Sequence, residues 1–325
     1  RVVFEGLSSG ELVLECKDTA VALTLVRRSR HPKPNEKEMD FIKKTVLTST
    51  YAGTFDSFKM FKETQQNLMQ YDCTDWDFTL SRAELQGMLV TVKDGKVSLK
   101  KPKLEKSVHT LTYGENLRSF KGEIDARYQF DSVKSTGWDY KKQEKTIATG
   151  KDASLKNTGD LTQQVLSEAL GLKEVELQSN GQVEEAELEA WASAQLFKSR
   201  MAMVRGTASC EGIHINPMDT VALKGLSNRF NGQVLVTGVQ HRIVRGTWQT
   251  VLQFGLSPKW FSQSEDFHSP PAAGLLSAIQ GLQIGQVLEQ ADQDPDKEDR
   301  IKVSLPTIDA KNGIWARQSL FSTGA

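Results

Sequence analysis

Apolar and polar residues alternate most clearly across residues 225–258, and this stretch predicts consecutive antiparallel strands. The turn pairs Asn231-Gly232 and Arg245-Gly246 separate its alternating runs. Residues 234–239 are rich in β-branched side chains, which suit a pleated and half-buried surface. The stretch holds neither a nucleophile beside a base nor metal-ligand spacing, so we interpret it as architecture.

The first alternating segment, 2–24, predicts strands on either side of a turn. Residues 6–10 read GLSSG and match the G-x-S-x-G pattern, in which Ser8 would be a hydrolase nucleophile. That chemistry needs a strand before the serine and a helix after it, whereas another alternating run follows here. We therefore predict a hairpin turn and no hydrolase activity that depends on Ser8. Because the chain starts within a strand pattern and without Met, we expect natural sequence to precede it.

Helical periodicity predicts four helices, at 36–48, 65–86, 161–170 and 183–203. The last helix places apolar residues on one face: Leu188, Trp191, Ala194, Phe197 and Met201. Its first turns are rich in glutamate, and Lys198 and Arg200 lie near its end, as the helix dipole favours.

Further strands are predicted between and after these helices. Residues 87–101 form two alternating runs around Asp94-Gly95, a favoured hairpin turn. We also expect strand structure in 108–140, where Ile124, Ala126, Tyr128 and Phe130 alternate with polar residues. Residues 141–157 are polar and are interpreted as a mobile insertion. After 261 the pattern becomes a Pro/Ser/Gly/Ala linker, and three more strands follow between 282 and 317.

Three groups of side chains are candidate cation sites, and we interpret all three as structural. Asp72, Asp75 and Asp77 lack the spacing of a calcium loop, and Asp75 is predicted to cap a helix. His214 and His241 have no third ligand at a spacing that would indicate a metal site. The acidic stretch 292–299 lacks the glycine and the final glutamate of a calcium loop, so a hairpin turn is expected. The sequence therefore predicts no catalytic residue, no metal site and no cofactor site. Trp191 is likewise interpreted as a packing residue and not as a cofactor contact.

Composition excludes several classes of protein. The 325 residues carry 41 basic and 41 acidic side chains, so no bulk charge favours nucleic acid or an anionic membrane. Cys16, Cys73 and Cys210 are far apart and predict free thiols rather than a disulfide framework. The lysines around the 87–101 hairpin are interpreted as a solvated edge, because aromatic residues are not interleaved with them. No apolar run approaches the length of a membrane span.

Several motifs together resemble the VgrG family of spike and baseplate-hub proteins, in the order of that family and over nearly the whole chain. These motifs are VLECKD (13–18), MQYDCTDWDF (69–78), DARY (125–128), RFNG (229–232), QFGLSP (253–258), GLQIG (281–285) and WAR (315–317). The family belongs to contractile injection systems, namely type VI secretion, extracellular contractile particles and phage tails. The chain departs from the family pattern because the start of the first barrel, the rest of the collar barrel and the needle are not present in it.

The resemblance implies a mainly β fold with α/β insertions, in which two related hub β-barrels precede the start of an OB-fold collar barrel. The implied domains are the remainder of the first barrel (1–32), an α/β domain (33–106), the second barrel (107–140 and 204–258), a helical insertion (141–203), a linker (259–281) and a partial collar domain (282–325). We expect the strands of this last domain to bury Trp315 and Ile284 against neighbouring chains.

The function implied by the resemblance is structural and not enzymatic. A homotrimer would join the sixfold tail tube to a membrane-piercing needle, and its partners would be tube and baseplate proteins and a tip protein or effector cargo, without nucleic acid. The particle would assemble in the bacterial cytoplasm and act as a secreted or extracellular machine, piercing its target membrane mechanically. The alternatives are a hydrolase or a carbohydrate- or surface-binding module carried on a tail-spike scaffold.

Overall fold

The computed structural model describes residues 2–5, 11–47, 54–55, 68–139, 142–153, 155, 158–179, 183–263, 283–298, 300–307 and 309–317. Strands outnumber helices, and the fold is mainly β, as predicted. The chain divides into two compact units, Arg1–Ser269 and Pro270–Ala325.

The first unit contains sixteen strands and four α-helices within the described residues. In chain order they are β1 (Val2–Glu5), β2 (Glu11–Leu14), β3 (Arg27–Arg30), α1 (Glu38–Asp40), β4 (Thr54–Phe55), β5 (Gln70–Thr74), α2 (Asp75–Leu85), β6 (Leu89–Lys93), β7 (Lys96–Lys100), β8 (His109–Thr112), β9 (Leu117–Ile124), β10 (Ser132–Asp139), β11 (Glu144–Thr149), α3 (Gln163–Leu170), β12 (Glu174–Gln178), α4 (Glu185–Ala202), β13 (Val204–Glu211), β14 (Thr220–Lys224), β15 (Gly232–Val244) and β16 (Thr247–Phe254).

A six-stranded sheet with the order β8-β14-β15-β16-β13-β9 forms a curled half-barrel. Its inner face buries alternate residues of these strands, among them Leu223, Val236, Leu252 and Phe254. Each such side chain contributes about 1.5–3 kcal/mol when it leaves water. The predicted strands of 225–258 therefore lie at the centre of this sheet, and β8 and β9 pair at its two sides.

A second sheet, with the order β11-β10-β12, lies under α4. The sequence grouped β10 with the strands of 204–258, whereas it pairs with β11 and β12 instead. The interpretation of 141–157 as a mobile polar insertion is wrong for Glu144–Thr149, because this segment pairs with β10 along its length.

Residues 125–131 are not a strand, although their alternation predicted one. The Asp125 carboxylate accepts the backbone N–H of Arg127 at 3.0 Å and its guanidinium at 2.8 and 2.9 Å, which turns the chain after β9. Phe130 is nevertheless buried, because the turn directs it beneath α4. The alternation was right about the burial of Phe130, but Asp125 and Gln129 are buried too, and the backbone is not extended.

The N-terminal part of the unit packs around a separate core of residues from 20 to 99. The predicted helix at 36–48 is present as α1 followed directly by a π-helix, Phe41–Leu47. The predicted helix at 65–86 is wrong at its start, since β5 pairs with β3 and the helix begins only at Asp75. Thr74, and not Asp75, caps α2, because its hydroxyl accepts the N–H of Asp77 at 3.0 Å.

The predicted hairpin at 87–101 is confirmed as β6 and β7. Asp94 and Gly95 both have positive φ, 51° and 72°, as a type I′ turn requires. Asp18 secures this turn, since its carboxylate accepts the N–H of Gly95 at 2.9 Å. The lysines of β7 lie on the central strand of the order β4-β7-β6, in which β4 and β6 are the two edge strands.

The second unit contains an antiparallel sheet of β17 (Gln286–Glu289), β18 (Arg300–Leu305) and β19 (Asp309–Arg317). In its described part, only Asp294 and Ser304 are buried. Ile284 is 86% exposed and Ile314 is 61% exposed. The described part of this sheet therefore has no apolar core of its own.

Candidate functional site

A cleft of about 1260 Å³ lies in the first unit. One wall consists of β5 and α2, and the other consists of β12 and the first turns of α4. The segment 258–263, which follows the half-barrel, completes it. Aromatic side chains line it at several points: Tyr71, Phe78, Tyr128, Phe130, Trp191 and Trp260. We call this space the cleft.

Buried ion pairs cross from α2 to the facing elements of the cleft. Arg82 contacts Glu38, which is fully buried, and its Nη2 lies 2.8 Å from Glu187 Oε1 on α4. Burial alone lowers the pKa of Arg82, but the hydrogen bonds and charges of the two glutamates outweigh it and raise this pKa above its ordinary value. Arg82 is therefore a permanent cation that ties α1, α2 and α4 together.

A second charged cluster anchors the segment after the half-barrel. Lys198 is buried, contacts the Glu84 carboxylate, and its Nζ lies 5.4 Å from the centroid of the Trp260 ring. Glu84 Oε2 also accepts the N–H of Phe261 at 2.7 Å, and Trp260 Nε1 donates to Gln195 Oε1 at 2.6 Å. We call these residues the Lys198 cluster.

The sequence assigned Lys198 and Arg200 to the dipole at the end of α4, but both are buried and ion-paired. The Arg200 Nη2 lies 2.7 Å from Asp152, and its Nη1 donates to the carbonyl of Phe130 at 2.9 Å. The predicted apolar face of α4 is confirmed for Leu188, Ala194, Phe197 and Met201, which are buried, and Trp191 is half-buried. No periodicity signal could have shown that its charged residues are also covered, because their partners are distant along the chain.

His214 and His241 do come together, on either side of Trp248. Their ring centroids lie 5.1 and 5.7 Å from the Trp248 ring. The indole Nε1 donates to His241 Nδ1 at 3.3 Å, and His109 Nε2 lies 2.9 Å from the carbonyl of His214. Across the described ranges, no three histidine, cysteine or acidic residues are placed to hold a metal ion. The arrangement is a set of edge-to-face ring contacts in which His241 accepts a hydrogen bond from Trp248.

The candidate aspartate cluster is built into the β3–β5 junction. Asp75 is buried, accepts a hydrogen bond from Gln70 Nε2 at 2.9 Å, and lies 3.3 Å from Arg30 and 3.6 Å from Arg28. Asp72 lies 3.5 Å from Arg27. Arginine side chains thus supply the positive charge that a cation would supply in a metal site.

The acidic loop at 292–299 is organised in the same way. The Asp294 carboxylate accepts backbone N–H groups of Asp296, Glu298 and Arg300 at 3.0–3.1 Å, and the Arg300 guanidinium binds it at 2.8 Å. The hydrogen bond from Arg300 is the main reason why the pKa of Asp294 lies well below its ordinary value. The expected hairpin turn is present, and the Arg300 guanidinium supplies the positive charge that neutralises Asp294.

The remaining candidates from the sequence are placed as follows. Ser8 lies outside the described residues. Cys16 is exposed, whereas Cys73 and Cys210 are buried, and burial raises the pKa of both buried thiols. Trp191 lines the cleft. No helix in the described part of the chain is long and apolar enough to span a membrane.

The chain matches the model of a known protein family. The model of the Alg8 N-terminal domain matches residues 3–245, which is most of the chain. The chain belongs to this family. The match ends at residue 245, directly after β15. No curated protein sequence matches the chain.

Solved structures identify the fold of this Alg8 N-terminal domain chain. A tail protein from Neisseria meningitidis MC58 is 17% identical, with a TM-score of 0.56 over 80% of this chain and 79% of that one. The 43 kDa tail protein of prophage MuSo2 from Shewanella oneidensis is 12% identical, with a TM-score of 0.53 over 80% and 75%. The E. coli c3393 protein, a type VI secretion component, is 12% identical, with a TM-score of 0.44 over 92% and 69%. The first two matches show that the chain shares the fold of these two tail proteins.

Proposed function

We propose that the chain is a structural subunit of a phage-tail-like particle, and specifically a VgrG-like hub and spike subunit of a contractile injection machine. The observation that carries this proposal is the shared fold with two phage tail proteins across 80% of the chain. The motifs that resemble the VgrG family add the finer assignment, because they occur in family order.

In this function the chain acts as a homotrimer between the sixfold tail tube and the needle. The residues of the first barrel (1–32) and of the second barrel (107–140 and 204–258) form the hub, with 33–106 and 141–203 as insertions. Within 107–140, β8 and β9 pair with the strands of 204–258, whereas β10 pairs with strands of the insertion. Residues 259–281 link the hub to the collar strands at 282–325. Tube and baseplate proteins and a tip protein or cargo are its partners, and it assembles in the cytoplasm into a particle that pierces its target membrane.

The charged residues of the described part support an architectural rather than a catalytic role. The acids and bases in and beside the cleft, Glu38, Arg82, Glu84 and Lys198, are buried or half-buried and form ion pairs with one another or with α4. The exposed apolar side chains of the second unit also suit a protein whose surfaces are covered in an assembly. We therefore propose no enzymatic activity and no cofactor or metal.

The test is the mass and symmetry of the assembled protein. We expect the full chain, extended through the rest of its natural sequence, to form a closed trimer at micromolar concentration, measured by light scattering. Class averages from electron microscopy should show a ring with three subunits and six barrel-like lobes. An extended chain that stays monomeric, or a ring of another order, would contradict the hub assignment.

A further inference from the structure

The hairpin of β15 and β16 continues past the half-barrel as a two-stranded projection. β13 accompanies β16 only as far as Trp248, whose carbonyl accepts the N–H of Gly212 at 2.9 Å. Beyond that point Ile243 pairs with Trp248 and Val244 with Thr247. Residues 240–247, the hairpin tip, are all exposed.

The hairpin tip combines exposed apolar surface with unpaired positive charge. Ile243 is 72% exposed and Val244 is 47% exposed, although both are β-branched residues that favour a covered strand face. Arg242 and Arg245 flank them, and neither makes an ion pair within the described part of the chain. No acidic residue occurs between 240 and 248.

The entrance of the cleft combines apolar surface with negative charge, which complements the hairpin tip. Glu184 and Glu185 begin α4 and are exposed, and among the described residues neither forms an ion pair. The next two glutamates of α4 are already ion-paired, since Glu187 binds Arg82 and Glu189 lies 2.8 Å from Lys151. Glu184 lines the cleft, together with apolar and aromatic side chains: Val175, Leu177, Val183 and Trp191.

We propose that the hairpin tip of one copy docks into the cleft of the next copy. Ile243 and Val244 would meet the apolar wall, while Arg242 and Arg245 would meet Glu184 and Glu185. This proposal rests on the proposed function, which requires copies of the chain to form a ring.

A second copy is the occupant that fits the charges. The chain has equal numbers of acidic and basic residues, so two copies do not repel each other as a whole. The positive patch and the negative patch lie on different elements, as a heterologous contact requires, and such a contact forms a ring when the rotation between successive copies closes. Desolvated arginine and branched apolar side chains are also typical anchors of protein interfaces.

Charge exchange provides the test, with the full chain and sedimentation velocity at micromolar concentration. R242E/R245E places two carboxylates against Glu184 and Glu185, and E184R/E185R places four arginines together. We expect each double variant to weaken self-association by about tenfold or more. The quadruple variant, in which both patches are reversed, should recover association. So should an equimolar mixture of the two double variants, though only in part.

K121E/K224E is the matched control, because it makes the same change in net charge at two exposed lysines outside both patches. It should associate as the wild type does. Wild-type assembly that R242E/R245E leaves intact would overturn the docking site and leave the hub function standing. Loss of assembly in both double variants without recovery in the quadruple variant would also overturn it. A wild-type chain that never assembles, even when extended through its natural sequence, would overturn the hub function itself.

Discussion

Replacing Lys198 by Met should destabilise the first unit, because it breaks an ion pair that is almost out of reach of water. Lys198 is 6% exposed, and its ammonium lies between the Glu84 carboxylate and the Trp260 ring. Met keeps most of the apolar stem and removes the charge. The substitution therefore leaves Glu84 as a mostly buried carboxylate without its cation.

The size of the effect follows from how well Glu84 is compensated. Removing one partner of a fully buried pair costs about 3–5 kcal/mol. The Glu84 side chain keeps 18% exposure and its hydrogen bond from Phe261, so we expect a loss of about 2–3 kcal/mol in the free energy of unfolding. For a unit of this size, such a loss lowers the melting temperature by about 4–12 °C.

Urea denaturation followed by circular dichroism measures this loss, and the m value should not change. Lys93→Met is the matched control, since Lys93 is exposed on β6, and it should change the free energy of unfolding by less than about 0.5 kcal/mol. The double variant K198M/E84Q should be more stable than the sum of the single variants predicts, because neither charge is then left alone. A K198M variant as stable as the wild type would show that the Lys198 cluster does not hold the structure together.

Three further predictions concern other parts of the chain. Because the pKa of Asp294 is lowered in the folded protein, the stabilisation from this carboxylate is complete above the unfolded pKa of about 3.9 and declines as the pH falls toward the folded pKa. Asp294→Asn should therefore speed proteolysis of the 283–317 segment at pH 7. The variant should also remove the acid dependence of this proteolysis. Gly206→Ala would drive a Cβ into the backbone oxygen of β9 and an aromatic ring of the core, so thermal unfolding should show a loss of about 1–3 kcal/mol, and an unchanged melting temperature would refute this packing. A thiol reagent at neutral pH should modify Cys16 quickly and should reach Cys73 and Cys210 only after denaturation, since both are buried with raised pKa values; three fast thiols in the native protein would contradict their burial.

The sequence alone determined those elements whose pattern depends on neighbouring residues. The hairpin at 87–101 was predictable because Asp94-Gly95 satisfies the two positive φ angles of its turn without help from the rest of the chain. The long helix α4 and the strands of 225–258 were predictable because their periodicities of 3.6 and 2 residues persist over many residues. The mainly β class follows from these same local signals.

Only the tertiary structure decided which of two possible conformations a short segment adopts. Residues 70–74 form β5 because β3 offers hydrogen bonds from more than 40 residues away, and those bonds outweigh the helical pattern. Glu144–Thr149 is a polar strand for the same reason, since its pairing with β10 requires no apolar face of its own. Residues 125–131 lost their predicted strand to the Asp125 carboxylate, which binds the backbone locally.

The candidate surfaces also came from tertiary structure. The sequence suggested separate strands for His214 and His241, but His214 lies in the loop between β13 and β14 and only His241 lies in a strand. The β15–β16 pairing and this loop together bring both rings to Trp248. Lys198 looked like a helix-end charge until α2 and Trp260 were seen to enclose it. Burial and charge pairing depend on residues that are close in space and distant along the chain, so a periodic pattern that reports one element at a time does not contain them.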